Sequence, residues 1–397
     1  MTSPRAWSVL WRLLGQHGVL FVRDFSVARA VFGILVRPAD SSYRNSALLR
    51  LESSLALVLD GTPVVGLNSG SDALVLALKV TGVGVGDEVI VPAFGCAVLA
   101  SSVLWVNAQP VFADVREDDY GIDPAAVEKK ITERTKAVVV AHLFGQPTGG
   151  MERLMQIARR HDLVVIEDAA QAFGAHIYIA GVWRSVGTIG DVGCFSFSFG
   201  KPFAGAGKGG ALVIKDDHLR ERALQIRSYG AKEAYVNYPE VGINMKLDDM
   251  HASVLLAKLP FYEYELEYQE VLARRYEQKL SVIKEILLPQ EGKNNKHNRI
   301  WHRYVVRVKN RDGLLAFLKN SFRSHPRLRA FIPYPVLLPS FSVFGGDQIG
   351  ETFPVAEEIL KEMISLPLEE TVSTSDIDFI CQSISDFYRK NTQEMQF

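Results

Sequence analysis

Lys201 heads a glycine-rich loop, and a lysine on its flexible stem is the side chain best suited to form a Schiff base with an aldehyde or ketone once its surroundings free the amine. An apolar run at 194–199 precedes it, and Gly205, Gly207, Gly209 and Gly210 follow. Such a loop lets backbone approach a ligand closely. A second group of interest is Asn68-Ser69-Gly70-Ser71-Asp72, which opens a helical pattern through Leu74, Leu76 and Leu78. Gly70 and Ser71 would there present free backbone N–H groups and a hydroxyl at the positive end of a helix, which is a seat for phosphate. The third is Asp168, a carboxylate that directly follows the apolar run 163–167.

Each part has an ordinary reading as well. Lys201 could be a surface lysine, Ser69 or Ser71 a plain N-cap, and Asp168 the N-cap of a short helix over 169–172. Together they define one chemistry. Pyridoxal 5'-phosphate needs a helix start for its phosphate, an anion to keep its ring nitrogen protonated, and a lysine for its aldehyde. The order G-x-x-x-x-G-K-[ST] of a nucleotide loop is missing from 200–210, and Gly82, Gly84 and Gly86 follow a helix instead of opening one. No metal-ligand spacing is present.

The elements that must position these groups alternate along the chain. Strands are expected at 63–67, 88–92, 109–113, 137–141 and 163–167, and helices at 51–59, 125–131 and 151–160. That alternation implies an α/β fold with a mostly parallel sheet and helices on both faces, its ligands gathered at the carboxyl ends of the strands. From 262 a smaller α+β unit is expected. It would hold a helix with mixed charges over 263–279, a strand at 301–308, a helix at 314–322, a Pro-rich loop at 333–339 and helices at 354–364 and 374–388. Three regions result: an atypical helical extension at 1–49, a large cofactor-binding domain at 50–261 and a small C-terminal domain at 262–397.

Bulk properties narrow the function. The chain has 397 residues, 48% hydrophobic and 22% charged, with a net charge of -1. That is a globular composition, and so small a net charge argues against bulk binding to nucleic acid. Cys96, Cys194 and Cys381 are widely spaced, which argues against a disulfide framework or a zinc site and fits a reducing cytoplasm. Within 1–49 the apolar stretches 18–22 and 30–36 are broken by Arg5, Arg12, Arg23, Arg29 and Arg37, too short to span a bilayer. A pair of amphipathic helices packed on the body or across a dimer is expected there, with a membrane-surface contact as the minority alternative.

Seven ordered segments resemble one family. They are 68–74 (Asn-Ser-Gly-Ser-Asp-Ala-Leu), 86–94 (Gly-Asp-Glu-Val-Ile-Val-Pro-Ala-Phe), 110–115 (Pro-Val-Phe-Ala-Asp-Val), 134–137 (Arg-Thr-Lys-Ala), 142–147 (His-Leu-Phe-Gly-Gln-Pro), 167–172 (Glu-Asp-Ala-Ala-Gln-Ala) and 195–201 (Phe-Ser-Phe-Ser-Phe-Gly-Lys). Their sequence is similar to the DegT/DnrJ/EryC1/StrS sugar aminotransferases. The resemblance implies the aspartate aminotransferase fold (fold type I), pyridoxal 5'-phosphate as cofactor and a homodimer with shared sites. It implies that Lys201 carries the Schiff base and shuttles the proton, that Asp168 holds the pyridinium proton, and that Gln171 sits beside the ring or its phenolic oxygen. Ser196, Gly70 and Ser71 would hold the phosphate, and Asn244 would reach the phosphate of the neighbouring subunit.

The chain departs from the family pattern at several points. Cys96 stands where an aromatic ring usually stacks on the cofactor, leaving Phe94 as the candidate substitute. Lys246 replaces a frequent arginine, and Pro339 stands in place of a histidine. The activity implied is transfer of an amino group from an amino acid, L-glutamate by resemblance, to a nucleotide-linked keto-sugar in amino-sugar or polysaccharide biosynthesis. The alternative is a non-catalytic or regulatory relative that keeps the fold.

Overall fold

The computed structural model describes residues 20, 22–33, 46–233, 235–290, 297–345 and 350–394. Its central sheet is built from β1 (Val64–Leu67), β2 (Glu88–Pro92), β3 (Gln109–Ala113), β4 (Thr135–Ala141), β5 (Val164–Asp168), β8 (Val192–Ser196) and β9 (Gly210–Ile214). The strand order is β1-β9-β8-β5-β4-β2-β3. β2 pairs in parallel with β3 and β4, β4 with β5, and β5 with β8, whereas β9 runs antiparallel to both β1 and β8. Strands covered on both faces read as continuous apolar runs, and β2, β8 and β9 are buried along their whole length. A hairpin of β6 (His176–Ile179) and β7 (Val182–Ser185), extended by β11 (His297–Asn298), lies outside this sheet.

Helix α3 (Gly70–Val80) shows why the local sequence folds as it does. Ser69 caps it, Asp72 and Lys79 suit the two ends of its dipole, and Ala73, Leu74, Leu76, Ala77, Leu78 and Val80 are buried. α2 (Ala47–Val58), α4 (Val98–Trp105), α5 (Pro124–Lys130), α6 (Met151–Arg160), α7 (Asp217–Ile226) and α8 (Asp249–Lys258) complete the body around the sheet. α9 (Tyr262–Leu280) then joins two cores. Near its start the Tyr262 hydroxyl donates to the Phe173 carbonyl, and near its end the Tyr276 hydroxyl donates to the Pro367 carbonyl while its ring stacks on Tyr304 at 4.6 Å.

The second core surrounds a three-stranded sheet in which β12 (Tyr304–Val308) lies between β10 (Ile286–Leu287) and β13 (Met363–Leu366). α10 (Arg311–Ser321) and α13 (Thr374–Glu394) bury Leu314, Leu318, Ile377 and Ile384 against it, and α11 (Ser342–Gly345) and α12 (Pro354–Glu362) connect the remaining chain. Asp114, past the end of β3, accepts from the backbone N–H groups of Val355 and Ala356, so a residue of the large body caps α12. Arg307, buried in β12, donates to Glu117 and Glu362.

Four expectations change on inspection. The segment after Asp168 is a pair of turns, not a helix, because Asp168 is the last residue of β5 and its carboxylate accepts from Ala170 N–H two residues on. The expected strand at 301–308 begins at Tyr304 and is buried along its whole length. The 176–185 hairpin was not anticipated, since Gly181 at φ 84 is its only punctuation. Of the two N-terminal helices expected, one is described, α1 at 22–33; its Val22 packs on Phe261 and Tyr264 and its Arg23 donates to Glu265 and Glu370. The other falls on 1–19 or 34–45, outside the described residues.

Candidate active site

The start of α3 is pressed against the ends of β8 and β9. A Cβ added at Gly70 would lie 2.7 Å from Ser196 Cβ, and one at Gly210 would lie 2.3 Å from the Ser69 carbonyl carbon. Only glycine permits both approaches. Ser69 Oγ accepts from Asp72 N–H at 3.1 Å, which leaves the first N–H groups of the helix, those of Gly70 and Ser71, facing outward without an intrahelical partner. Ser196 is buried at the end of β8 and its hydroxyl donates to Ser198 Oγ at 3.2 Å. Lys208 bears electrostatically on Asp72, adding a cation near this corner. Asn244 is exposed beside the same corner, its carbonyl accepting from Asn68 Nδ2 at 3.0 Å.

Asp168 ends β5 opposite Cys194 of β8, and is buried. Burial pushes its carboxyl above the usual range, while the Lys201 ammonium, the Ala170 N–H and His142 pull the other way. Burial and the two neighbouring carboxylates, Asp168 and Glu167, push the Cys194 thiol well up, which makes it an inert packing group. Lys201 is half-buried and its N–H donates to the Ser198 carbonyl at 3.1 Å. Its loop is stitched to itself by Phe197 N–H to Gly209, Phe199 N–H to Gly207 and Gly205 N–H to Phe197. Phe203 anchors the loop inward, stacked on Phe173 at 5.1 Å.

Gln171 is buried and fully engaged. Its Oε1 accepts from Phe144 N–H at 2.9 Å and lies 3.0 Å from His302 Nδ1, and its Nε2 donates to the Tyr334 hydroxyl at 2.6 Å. Burial and Cys96 push the Tyr334 phenol well up. Tyr120, Phe144 and Tyr334 have φ of 63, 57 and 50, a left-handed backbone that aromatic residues rarely adopt. Their rings touch, Tyr120 on Phe144 at 5.5 Å and Phe144 beside Tyr334 at 6.0 Å. Strained backbone gathered at one place is the mark of a site whose geometry is held by its surroundings. Phe94 does not present a stacking face: it is wholly buried, edge-on to Tyr334 at 5.6 Å, and the half-buried residue of that loop is Cys96.

Beside Asp168, Glu167 is fully buried and accepts four hydrogen bonds, from His142 Nε2 at 3.0 Å and from the N–H groups of Gly187, Ile189 and Gly190. Burial works against the charge, yet these donors hold the carboxyl below its usual range. His142 Nδ1 accepts from Thr148 N–H at 3.0 Å, so Nε2 carries the proton. The pair is a rivet between β4, β5 and the 187–190 turn. Sequence reading gave no role to His142, His302 or Tyr334. Their partners lie 25, 131 and 163 residues away, which no local pattern announces.

The donor set fits pyridoxal phosphate. An anion is buried where a ring nitrogen needs one, a lysine lies within its electrostatic reach, and a helix start with glycine at its closest approach meets a serine hydroxyl. Among the described residues no group of three or more histidine, cysteine or acidic side chains could hold a metal ion, and no helix is long and apolar enough to cross a membrane.

Known proteins are similar to this chain over nearly its whole length. A family model, that of the DegT/DnrJ/EryC1/StrS aminotransferase family, matches residues 41–385. A pleiotropic regulatory protein of Geobacillus stearothermophilus is 35% identical over 89% of this chain and 94% of its own length. A dTDP-3-amino-3,6-dideoxy-alpha-D-galactopyranose transaminase of Aneurinibacillus thermoaerophilus is 35% identical over 81% of this chain and 85% of its own. Among solved structures, S. venezuelae DesV in complex with a ketimine intermediate superposes with a TM-score of 0.83 at 31% identity, covering 96% of each chain.

Proposed function

The chain belongs to the DegT/DnrJ/EryC1/StrS aminotransferase family, whose members are transaminases that use pyridoxal phosphate, and from that membership we propose that it moves an amino group from L-glutamate to a nucleotide-linked keto-sugar in amino-sugar or polysaccharide biosynthesis. The observation that carries this reading is the buried Asp168 at the carboxyl end of β5, facing the charge of Lys201 beside a glycine-tight helix start. The sugar class is supported by the similarity to the Aneurinibacillus dTDP-sugar transaminase.

Pyridoxal phosphate, when bound, supplies an aldehyde and an electron-withdrawing ring that stabilises charge at the reacting carbon. Asp168 holds the proton of the ring nitrogen; its apolar surroundings make that hydrogen bond stronger than it would be in water. The Gly70 and Ser71 N–H groups and the Ser196 hydroxyl receive the phosphate. Lys201 Nζ would move a proton between substrate carbon and cofactor carbon within each half-reaction, off the α-carbon of the donor in the first and onto the acceptor carbon in the second. Gln171, locked by Phe144, His302 and Tyr334, would sit beside the cofactor's ring or its phenolic oxygen, and Cys96 would stand where an aromatic ring is usual.

The protein acts as a homodimer in this reading. Phe199, Tyr229, Tyr235, Val236, Tyr238 and Val241 are all exposed, several of them almost completely. So many exposed apolar side chains, one of them two residues before Lys201 and the others on the 229–241 segment before Asn244, fit a surface that a second copy covers, with Asn244 reaching the partner's phosphate. Residues 50–261 serve as the cofactor-binding domain and 262–397 as the smaller cap. The reaction belongs in the cytoplasm, where three unpaired cysteines stay reduced.

A regulatory reading draws on the name of the Geobacillus relative. One experiment separates the two. Absorption spectra are recorded with added pyridoxal phosphate, before and after L-glutamate, for the protein and for Lys201→Ala. A visible band that bleaches with glutamate and is missing from the variant is the transaminase outcome. A band that ignores glutamate, or no band, favours the regulator.

A further inference from the structure

Gly205, Gly207 and Gly209 of the lysine loop all face one side chain, that of His251 on α8. A Cβ added at Gly205 would lie 2.0 Å from His251 Nε2, one at Gly207 would lie 3.3 Å from Nδ1 and Cε1, and one at Gly209 would lie 3.4 Å from Nε2. None of the three has a φ in the left-handed region, so backbone conformation does not call for glycine there. The space does. The loop is wrapped round the edge of an imidazole, and a side chain at Gly205 would have to push the ring away.

The rest of α8 continues this bed. His251, Leu255 and Lys258 stand four and then three residues apart, which puts them on one face of the helix. Leu255 packs in the same core as Phe197 and Phe203, and Lys258 Nζ donates to the Ala204 carbonyl at 2.7 Å. In the first turn the Asp248 carboxylate accepts from His251 N–H at 2.8 Å and fixes the backbone that carries the ring. The imidazole is nearly buried; burial holds it below its usual value with only Asp248 opposing, so it is uncharged at neutral pH. Its buried Nε2 has no hydrogen-bond partner among the described residues. What this edge of the ring gives the loop is shape, not a hydrogen bond.

We propose that His251 is a positioning residue for Lys201: its ring is the post on which residues 205–209 rest, and its size sets how far Lys201 Nζ reaches into the site. The inference rests on the proposed function, in which that nitrogen moves the proton. Lys201 stands four residues before Gly205, and between them Phe203 is stacked on Phe173 and the Ala204 carbonyl is held by Lys258. A contact at Gly205 is therefore passed to the lysine through a short, fastened stretch. With the post removed, three glycines are left with the most conformational freedom any residue has. Misplacing a reacting group by about 1 Å can lower a rate about 100-fold. His251 acts only through the loop.

Hydrogen exchange of the cofactor-free protein reads the loop directly. In His251→Ala the amides of Phe197, Phe199 and Gly205, which close the loop on itself, are expected to exchange about tenfold faster or more while those of β4 and β5 keep their rates. Loop rates equal to the wild type overturn the proposal, and so does an equal rise throughout the sheet, which would make His251 a general core residue. Stopped-flow bleaching by L-glutamate is the second reading. The maximum rate should fall at least about tenfold in His251→Ala with little change in the glutamate concentration that half-saturates it, and His251→Gln, which refills the space below the glycines, should regain most of the loss. An unchanged rate in His251→Ala, or a loss that His251→Gln does not reduce, overturns the proposal. Gly205→Ala disturbs the same contact from the loop side, so its effect and that of His251→Ala should combine to less than their product in the double variant; independent effects overturn the proposal. Where His251→Ala does not fold, exchange is read on Gly205→Ala, and unchanged loop rates there overturn it. Absence of any visible band in the wild type would sink the transaminase reading instead and leaves the exchange rates to decide.

Discussion

Gln171 Nε2 donates to the Tyr334 hydroxyl at 2.6 Å, joining residues 163 positions apart. One end of this bond lies on the turn that Asp168 starts, and the other on the loop that follows the β12 and α10 region. It therefore fixes the distance between the turn after β5 and the 333–339 loop. Tyr334 keeps φ 50 to make it, a conformation that costs on the order of 1–3 kcal/mol in a residue other than glycine. That strain persists because the ring is also held edge-on by Phe94.

Replacement of Tyr334 by Phe leaves the buried Gln171 amide without its acceptor, at a cost of about 1–3 kcal/mol. The expected outcome is a small fall in melting temperature and a drop of roughly tenfold in the glutamate half-reaction, since the same amide positions Phe144 and His302. Stopped-flow bleaching of the visible band measures the rate. A variant as fast as the wild type would mean that the Gln171 amide keeps its orientation without the phenol.

Gly70→Ala tests the phosphate seat. The new methyl would have to sit 2.7 Å from Ser196 Cβ, so either the helix start or the serine moves. Overpacking of this kind costs about 1–3 kcal/mol. Because both displaced groups are phosphate donors in the proposed site, affinity for pyridoxal phosphate is expected to weaken at least about tenfold, which corresponds to ~1.4 kcal/mol. Equilibrium titration with the cofactor reads this directly. Loss of stability with unchanged affinity would place the phosphate elsewhere.

The sheet and the start of α3 were legible because their signals are local. Apolar runs marked the buried parallel strands, and Ser69 before a leucine-rich helical period marked the start of α3. Asp168 was also legible, but its local structure was not: a carboxylate before Ala-Ala-Gln-Ala suits an N-cap as well as an Asx turn, and only the docking of Phe144 on Gln171 decides for the turn. What escaped were the long-range pairs. His302 and Tyr334 stand next to ordinary strand and turn residues, and nothing in their neighbourhoods says that both meet Gln171. Phe94 misled for the opposite reason, since a family motif located the loop while its own apolar ring went to the core and left Cys96 at the edge.

Glu167 gives a pH signature. Its carboxyl is depressed in the folded protein by His142 and three backbone donors. A depressed carboxyl contributes stability that is complete above its ordinary unfolded value, about 4.3, and is lost as pH falls through the lower folded value. Urea unfolding of the wild type should therefore lose stability steeply in acid, below pH ~4. In Glu167→Gln one amide N–H₂ replaces an accepting oxygen and meets backbone donors head-on, so about 3 kcal/mol or more is expected to be missing at pH 7. The gap between the two proteins should narrow as pH falls. A gap that is constant from pH 7 to 3 would show that the charge of Glu167 contributes nothing.

Arg23 tests how α1 is fastened. It is nearly buried and donates to Glu265 at 2.6 Å and to Glu370 at 2.7 Å, while Glu265 is itself only 12% exposed in its side chain. Burial raises the Glu265 carboxyl even with Arg23 present, and removing the arginine takes away two influences that hold it down. In Arg23→Ala the Glu265 carboxyl therefore moves further up. A raised carboxyl binds its proton more tightly in the folded state than in the unfolded one, so stability falls as pH rises through that value. The variant should be less stable than the wild type by about 1–3 kcal/mol at pH 8, the partial exposure of Glu370 keeping the loss below that of a fully buried pair, and the deficit should shrink toward pH 5. The glutamate half-reaction should be unchanged, because α1 packs on Phe261 and Tyr264 in a cluster separate from the one that holds Phe197 and Phe203 of the Lys201 loop. Chemical unfolding at the two pH values checks the first part and stopped-flow bleaching the second. A deficit that grew on acidification would mean that Arg23 serves α1 through packing of its stem and not through the charge of Glu265.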